Sequence, residues 1–281
     1  MNIRSRLLRR IGRPADKMIR KLGYVRPADK PPFESDIFGH KMYVSPSDEG
    51  INLHGLGGHT LSDYKHGEIS IANHLPPGGT VVDCGANIGF FTLLFARAVG
   101  ETGRVIAIEP GPSSFALLTK NVAINGYRNV TLINKAISNR SGTTDFFLCR
   151  TGESDNTMYA TPGEVRDRIS VETITLDDLI GDTKVDFVKM DIQGSEYLAL
   201  LGMAKILRNN PGVRILLEYA PVSLELAGVA PLELISLVSS LGFQTSVVYE
   251  GSPAAKVDVA FLRENCGRGK RYPHLNLLLE R

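Results

Sequence analysis

From residue 80 onward the chain alternates short apolar runs with longer amphipathic ones, and this alternation restricts the fold more than any other feature. Thr80 to Cys84 reads as a buried strand, Ile88 to Val99 as a helix, Arg104 to Glu109 as a strand, Ser113 to Ile124 as a helix and Asn129 to Asn134 as a strand. Thr143 to Leu148 and Ile169 to Thr173 read as strands around a polar loop at residues 150–164. After them come a strand at Val185 to Met190, a helix at Ser195 to Leu207, a strand at Val213 to Glu218 and a helix at Pro231 to Leu241. Strands at Phe243 to Tyr249, Val257 to Leu262 and Leu275 to Leu279 close the chain. Strands separated by helices pair in parallel, so the expectation is an α/β protein built on a doubly wound, mostly parallel sheet. Such a sheet takes its ligands at the carboxyl ends of the strands, where the strand order reverses.

The segment VVDCGANIGFFT, residues 81–92, lies at such an end. Gly85 and Gly89 allow a tight turn and a close backbone approach to a ligand. The strand ends in an acid, Asp83, whereas a dinucleotide site runs from its strand into G-x-G-x-x-G and attracts a pyrophosphate to the helix N-terminus. A carboxylate would repel that anion and suits a ligand carrying positive charge. Glu109 follows the glycine turn by about 20 residues and has the position of an acid that binds ribose hydroxyls. Taken together, the two acids describe a nucleoside with a cationic attachment and no phosphate, for which S-adenosylmethionine is the candidate. The competing structural roles are a helix N-cap for Asp83 and a surface carboxylate for Glu109. A third stretch, VDFVKMDIQGSEYLALLG at residues 185–202, places Asp191 at a strand end and Glu196 just inside a helix, both expected at the same cleft mouth. The competing role for Glu196 is to complement the helix dipole. Asp-Ile-Gln-Gly at 191–194 stands where methyltransferases of exocyclic base amines carry an Asn/Asp-Pro-Pro-aromatic segment, which argues against nucleobase methylation.

VVDCGANIGFFT, VIAIEP, NVAINGYRNVTLINKAIS, ETITLDDL and VDFVKMDIQGSEYLALLG follow one another in an order and spacing that resemble the FkbM family of class I S-adenosylmethionine-dependent methyltransferases, over roughly residues 65 to 280. The resemblance implies a Rossmann-like seven-stranded sheet and O-methylation of a hydroxyl on a sugar, glycan or secondary metabolite. It also implies that Asp83, Gly85, Asn87 and Gly89 hold the methionine portion of the cofactor, Glu109 its ribose and the segment around Ala136 its adenine edge, with Asp191 near the sulfonium and the acceptor. Gln193 stands where many relatives have Glu; the lost charge beside Asp191 argues against a bound metal. A hydroxyl is a weak nucleophile near neutral pH, so a general base is expected. The candidate catalytic residues are Asp191, Glu196 and His66, with His54 and His59 as further bases, and Ser154, Asp155 and Asn156 as acceptor contacts or turn residues.

The composition, 43% hydrophobic and 22% charged, is that of a globular protein, and the three cysteines, Cys84, Cys149 and Cys266, suggest neither a disulfide framework nor a zinc site. The net charge of +2 is segregated: residues 1–30 hold ten basic and two acidic residues, +8, which leaves −6 for the rest. Three regions are expected: a basic arm at 1–32, an irregular cover with a short helix around Tyr64 to His74 at 33–75, and the main domain at 76–281. The arm, apolar at helical spacing, reads as a solvated helix or as a peripheral contact with an anionic membrane. A presequence would also be Arg-rich and acid-poor. Nucleic acid is a poor partner for an acidic body behind an arm with no interleaved aromatics. With no apolar run long enough to span a bilayer and no secretory signal, a cytoplasmic protein acting on a small-molecule or carbohydrate acceptor is expected. Two other classes remain: a non-catalytic S-adenosylmethionine-binding scaffold, and a nicotinamide-dependent oxidoreductase, which Asp83 and the missing G-x-G-x-x-G oppose.

Overall fold

The structure, a computed structural model, describes residues 31–44, 70–149, 155–159, 163–248, 255–271 and 274–281. The main sheet is formed by β3 (Thr80–Cys84), β4 (Arg104–Ile108), β5 (Val130–Ile133), β9 (Phe187–Met190), β10 (Arg214–Tyr219), β11 (Gln244–Val248), β12 (Ala255–Lys256) and β13 (Leu275–Glu280). Its order is β12-β11-β13-β10-β9-β3-β4-β5. The five strands from β5 to β10 run parallel, and β13 is antiparallel to both β10 and β11. The expected seven strands are present, with the two-residue β12 added at one edge. From β3 the chain moves one way to β4 and β5 and the other way to β9 and β10, so the order reverses between β3 and β9.

Both faces of the sheet are covered, as a parallel sheet requires. On one face lie α1 (Phe90–Val99) and α2 (Pro112–Ile124), packed with Val81, Phe95 and Phe187. On the other lie α3 (Leu176–Ile180), α4 (Glu196–Leu201), α5 (Ala204–Asn209), α6 (Pro221–Leu226), α7 (Pro231–Ser240) and α8 (Val259–Asn265), around Val82, Val188 and Met190. Strand alternation therefore turns Val81 and Asp83 of β3, with Phe187 and Lys189 of β9, toward the α1 face.

Three local readings are corrected. Residues 33–44, expected as irregular cover, form an antiparallel hairpin of β1 (Phe33–Ile37) and β2 (His40–Val44), turning through Phe38 at φ 49° and Gly39 at φ 77°. Two adjacent residues with positive φ give the type I′ turn that matches strand twist. The single helix expected at 195–207 is two: Met203, at φ −128° and ψ 25°, leaves the helical region between them, next to Gly202, where a side chain would strike the carbonyl of Ser138. The strand expected at 257–262 is helix α8: Asp258 caps it, its Oδ1 accepting from the Phe261 N–H at 2.8 Å. The strands expected at 143–148 and 169–173 are present as β7 (Gly142–Cys149) and β8 (Val165–Ile174), which with β6 (Ala136–Ile137) form a separate sheet in the order β6-β8-β7. Of the short helix expected around Tyr64 to His74, residues 70–72 are helical and the earlier part lies outside the described residues, as does the arm at 1–30.

Candidate active site

A cavity of about 310 Å³ opens at the carboxyl ends of β3, β4 and β9, at the reversal of strand order. Asp83 and Lys189 are opposite each other in the β3–β9 register. Both are buried, because both fall on the face that α1 covers. A charge in such surroundings needs partners. The Asp83 carboxylate accepts from Thr92 Oγ1 of α1 at 2.6 Å and lies 3.9 Å from Lys189 Nζ. Lys189 Nζ also donates to Asp191 Oδ2 at 3.3 Å and stands 5.1 Å from the centre of the Phe91 ring. One ammonium is thus shared between the acid of the first strand and the acid that ends β9.

The turn after β3 is tied to β4 by backbone bonds from Gly85 N and Ala86 N to Ile108 O, each 3.0 Å. Glu109, 7% exposed, follows β4 and faces back toward this turn. Its Oε2 accepts from Asn87 N at 2.9 Å and its Oε1 from Gly111 N at 2.8 Å. Both loops that edge the cavity are therefore anchored on one carboxylate. Asn87 has φ 50°, and its buried Oδ1 has no hydrogen-bond partner among the described residues. Ile108, Pro110, Ala136 and Ile137 supply apolar wall beside Glu109.

Beyond β9, Asp191 Oδ1 accepts from Gln193 Nε2 at 3.1 Å, and the same nitrogen donates to Glu218 Oε2 at 3.1 Å. The two hydrogens of one amide therefore strap two carboxylates together. The Asp191 side chain is 34% exposed, and Glu218 and His274 line the cavity with it. Glu196, wholly buried, turns the other way: its Oε1 accepts from Ile192 N and its Oε2 from Gly194 N, both at 2.9 Å. Burial pushes its carboxyl up to about 7, and the nearby Asp191 charge adds to the rise against the backbone N–H donors.

Asp83, Gly85, Asn87, Glu109, Ala136 and Asp191 are brought together at the cavity wall. Glu196 departs from its expected place, and the glycines and Asp83 also make contacts within the protein. Glu196, expected at the cleft mouth, is not among the lining residues; it staples the 191–195 loop, since its oxygens are aimed at backbone donors. Both glycines also answer a packing need within the protein, Gly85 while lining the cavity. At Gly85, φ 78°, a Cβ would run into the carbonyl oxygen of Asp191, and at Gly89, φ 96°, it would meet Leu118 Cδ1 of α2 at 2.7 Å. Gly89 does not line the cavity. Asp83 does, yet the first cation it meets is Lys189; it is not the N-cap of α1, which is Gly89. His54, His59, His66 and Ser154 lie outside the described residues, while Asp155 and Asn156 line the cavity. Lys189 and Glu218 were not anticipated. The available signal was a lysine inside an apolar strand two residues before an acid, which has to be paired if the strand is buried on both faces.

A doubly wound sheet with this order, and an acid-lined glycine turn at its switch point, is the class I methyltransferase fold. The chain belongs to the FkbM methyltransferase family: the family model, described as Methyltransferase FkbM domain, matches residues 83–245, more than half of the chain. Methyltransferase sdnD of Sordaria araneosa is 27% identical over 165 residues, 47% of this chain and 63% of that protein. Methyltransferase 1 of Beauveria bassiana is 22% identical over 149 residues, 46% of this chain and 59% of that protein. The matches thus span about three-fifths of these curated relatives. Among solved structures, TYW2 of P. horikoshii in complex with MeSAdo aligns with a TM-score of 0.48 and 14% identity, covering 95% of this chain and 81% of that one.

Proposed function

We propose that the protein transfers the methyl group of S-adenosylmethionine to a hydroxyl of a sugar, glycan or secondary metabolite. The observation that carries this reading is the charge of the cavity. Asp83, Glu109, Asp155, Asp191 and Glu218 stand against Lys135 and Lys189, a formal −3 at a nucleoside-sized site. A ligand with an ammonium and a sulfonium suits that field, whereas a pyrophosphate does not.

The residues present fit this donor. Each Glu109 oxygen accepts a backbone N–H at the cavity wall, and an ionised carboxylate has about four acceptor positions with which to meet ribose hydroxyls. Ile108, Pro110, Ala136 and Ile137 are apolar wall for an adenine, and the buried Asn87 Oδ1 is an acceptor with no donor among the described residues. Bound there, S-adenosylmethionine supplies a methyl group already made electrophilic by its positive sulfur. What remains for the protein is alignment of an acceptor oxygen, exclusion of water and a destination for the hydroxyl proton. Asp191 is held from two sides, by Lys189 and by Gln193, and is open enough to reach an acceptor; it is the base of this proposal. Phe90 and Phe91 keep one wall dry. The acceptor is a small molecule or carbohydrate, reached from a cytoplasmic location with peripheral contact between residues 1–30 and anionic lipid. Among the described residues no helix is long and apolar enough to cross a membrane.

Calorimetry with S-adenosylmethionine, S-adenosylhomocysteine and NAD tests the donor, with binding of the first two alone expected. Transfer of label from methyl-labelled S-adenosylmethionine to a panel of polyols and glycosides then tests the acceptor class. Binding of NAD in preference to both adenosyl ligands would overturn the proposal.

A further inference from the structure

We infer that Lys189 is a specificity-determining residue that sets the balance between a cationic methyl donor and its neutral product in this cavity. The inference rests on the donor reading above and goes beyond it. A lysine 4% exposed, on the central strand and against the Phe91 ring, is costly to keep charged. A well-packed apolar side chain in place of a buried ion pair is often as stable or more so. Packing alone therefore gives no reason for a charge here.

The placement of the ammonium does. It stands between Asp83, 3.9 Å away at the first strand, and Asp191, 3.3 Å away at the acceptor side, and all three side chains line the one cavity. The three groups together carry a formal −1 instead of −2. S-adenosylmethionine and S-adenosylhomocysteine share every recognition element except a methyl group and one positive charge on sulfur. A fixed ammonium in the wall penalises the first ligand and leaves the second almost untouched. Interactions that hold the reactant more tightly than the transition state slow a reaction, so a cation that tempers the carboxylates' grip on the donor favours turnover. The acids attract the donor, and Lys189 limits how far.

Affinities of S-adenosylmethionine and S-adenosylhomocysteine for the wild type, Lys189→Met and Lys189→Arg, by calorimetry at low salt, test this. Lys189→Met is expected to shift the affinity ratio toward S-adenosylmethionine by about tenfold, the order for one unit charge acting across such a cavity at an effective dielectric of about 20. Lys189→Arg keeps the charge and should leave the ratio within about threefold. Lys189→Gln replaces the Met variant if circular dichroism finds the latter unfolded. An unchanged ratio in a folded neutral variant overturns the inference. If the wild type binds neither ligand, it is the donor reading that fails, and this inference with it.

Discussion

At the scale of single residues, the site separates acids that face the cavity from one that does not. Glu196 has a carboxyl raised to about 7, first by burial and then by Asp191. Because the folded value lies above the unfolded one of about 4.5, the group stabilises the native state at low pH, and that contribution is lost as pH rises from about 4.5 through about 7. The loss is at most about 3 kcal/mol. Glu196→Gln should remove this pH dependence, so that urea unfolding at pH 5 and pH 8 gives a variant-to-wild-type difference that changes in the variant's favour at the higher pH; a constant difference would refute the assignment. Glu109 differs, since each of its oxygens holds one backbone N–H and faces the cavity. Glu109→Ala is expected to weaken S-adenosylhomocysteine binding by one to a few orders of magnitude, at about 1.5–3 kcal/mol per charge-assisted bond. Calorimetry that finds the affinity unaltered would remove Glu109 from the site. Asp191→Asn retains shape but not basicity, and single-turnover rates should fall by roughly 10²–10⁴-fold with little change in product affinity. Full activity would place the base elsewhere, with His54, His59 and His66 next to be tested.

At the scale of elements, the hairpin β1–β2 is attached by a device that leaves no periodic trace. Asn121 of α2 accepts from Tyr43 N at 2.6 Å and donates to Tyr43 O at 3.1 Å; Asn125 accepts from Lys41 N at 3.1 Å and donates to Lys41 O at 2.7 Å. Two side-chain amides thus take the place of a neighbouring strand along β2. Five-residue strands whose edge is completed from about 80 positions away were not legible, whereas β3, β4 and α1, with continuous apolar runs, were read to within a residue or two. The misread strand at 257–262 had β-branched valines, but its fate was decided by the Asp258 cap. His40 closes the hairpin, sharing a 2.7 Å hydrogen bond with Tyr127 Oη. Burial, with the Arg97 charge second, lowers its imidazole to about 4. The folded value is below the unfolded 6.5, so the native state binds fewer protons, and stability falls as pH drops from about 6.5 toward 4. His40→Gln should flatten thermal stability between pH 7 and pH 5 relative to the wild type; parallel profiles would show that His40 does not titrate with unfolding.

At the scale of the whole molecule, what was legible is what a single strand end can display: Asp83, Glu109 and Asp191 stand at the carboxyl ends of their strands, and the fold brings them to one cavity. Lys189 was not legible in that way, because its partner Asp83 lies on a strand 106 residues earlier, and their adjacency is a property of sheet order. Charge on the largest scale is legible directly. The +8 of residues 1–30 beside a body of −6 is a polarity that an anionic surface would select, since basic residues near such a surface contribute about 1 kcal/mol each while the acidic body is repelled. The attraction must weaken as the screening length shrinks from roughly 30 Å at 0.01 M salt to about 10 Å at 0.1 M. A chain lacking residues 1–30 is therefore expected to keep its affinity for S-adenosylhomocysteine, because the acids assigned to the ligand, Asp83, Glu109 and Asp191, all stand at strand ends of the sheet. It should also sediment far less with vesicles rich in phosphatidylserine at 0.01 M salt, where the full chain binds, and the two forms should converge as salt rises. Equal vesicle binding by both forms at low salt would leave the basic arm without a membrane role, and a loss of ligand affinity on its removal would tie the arm to the site instead.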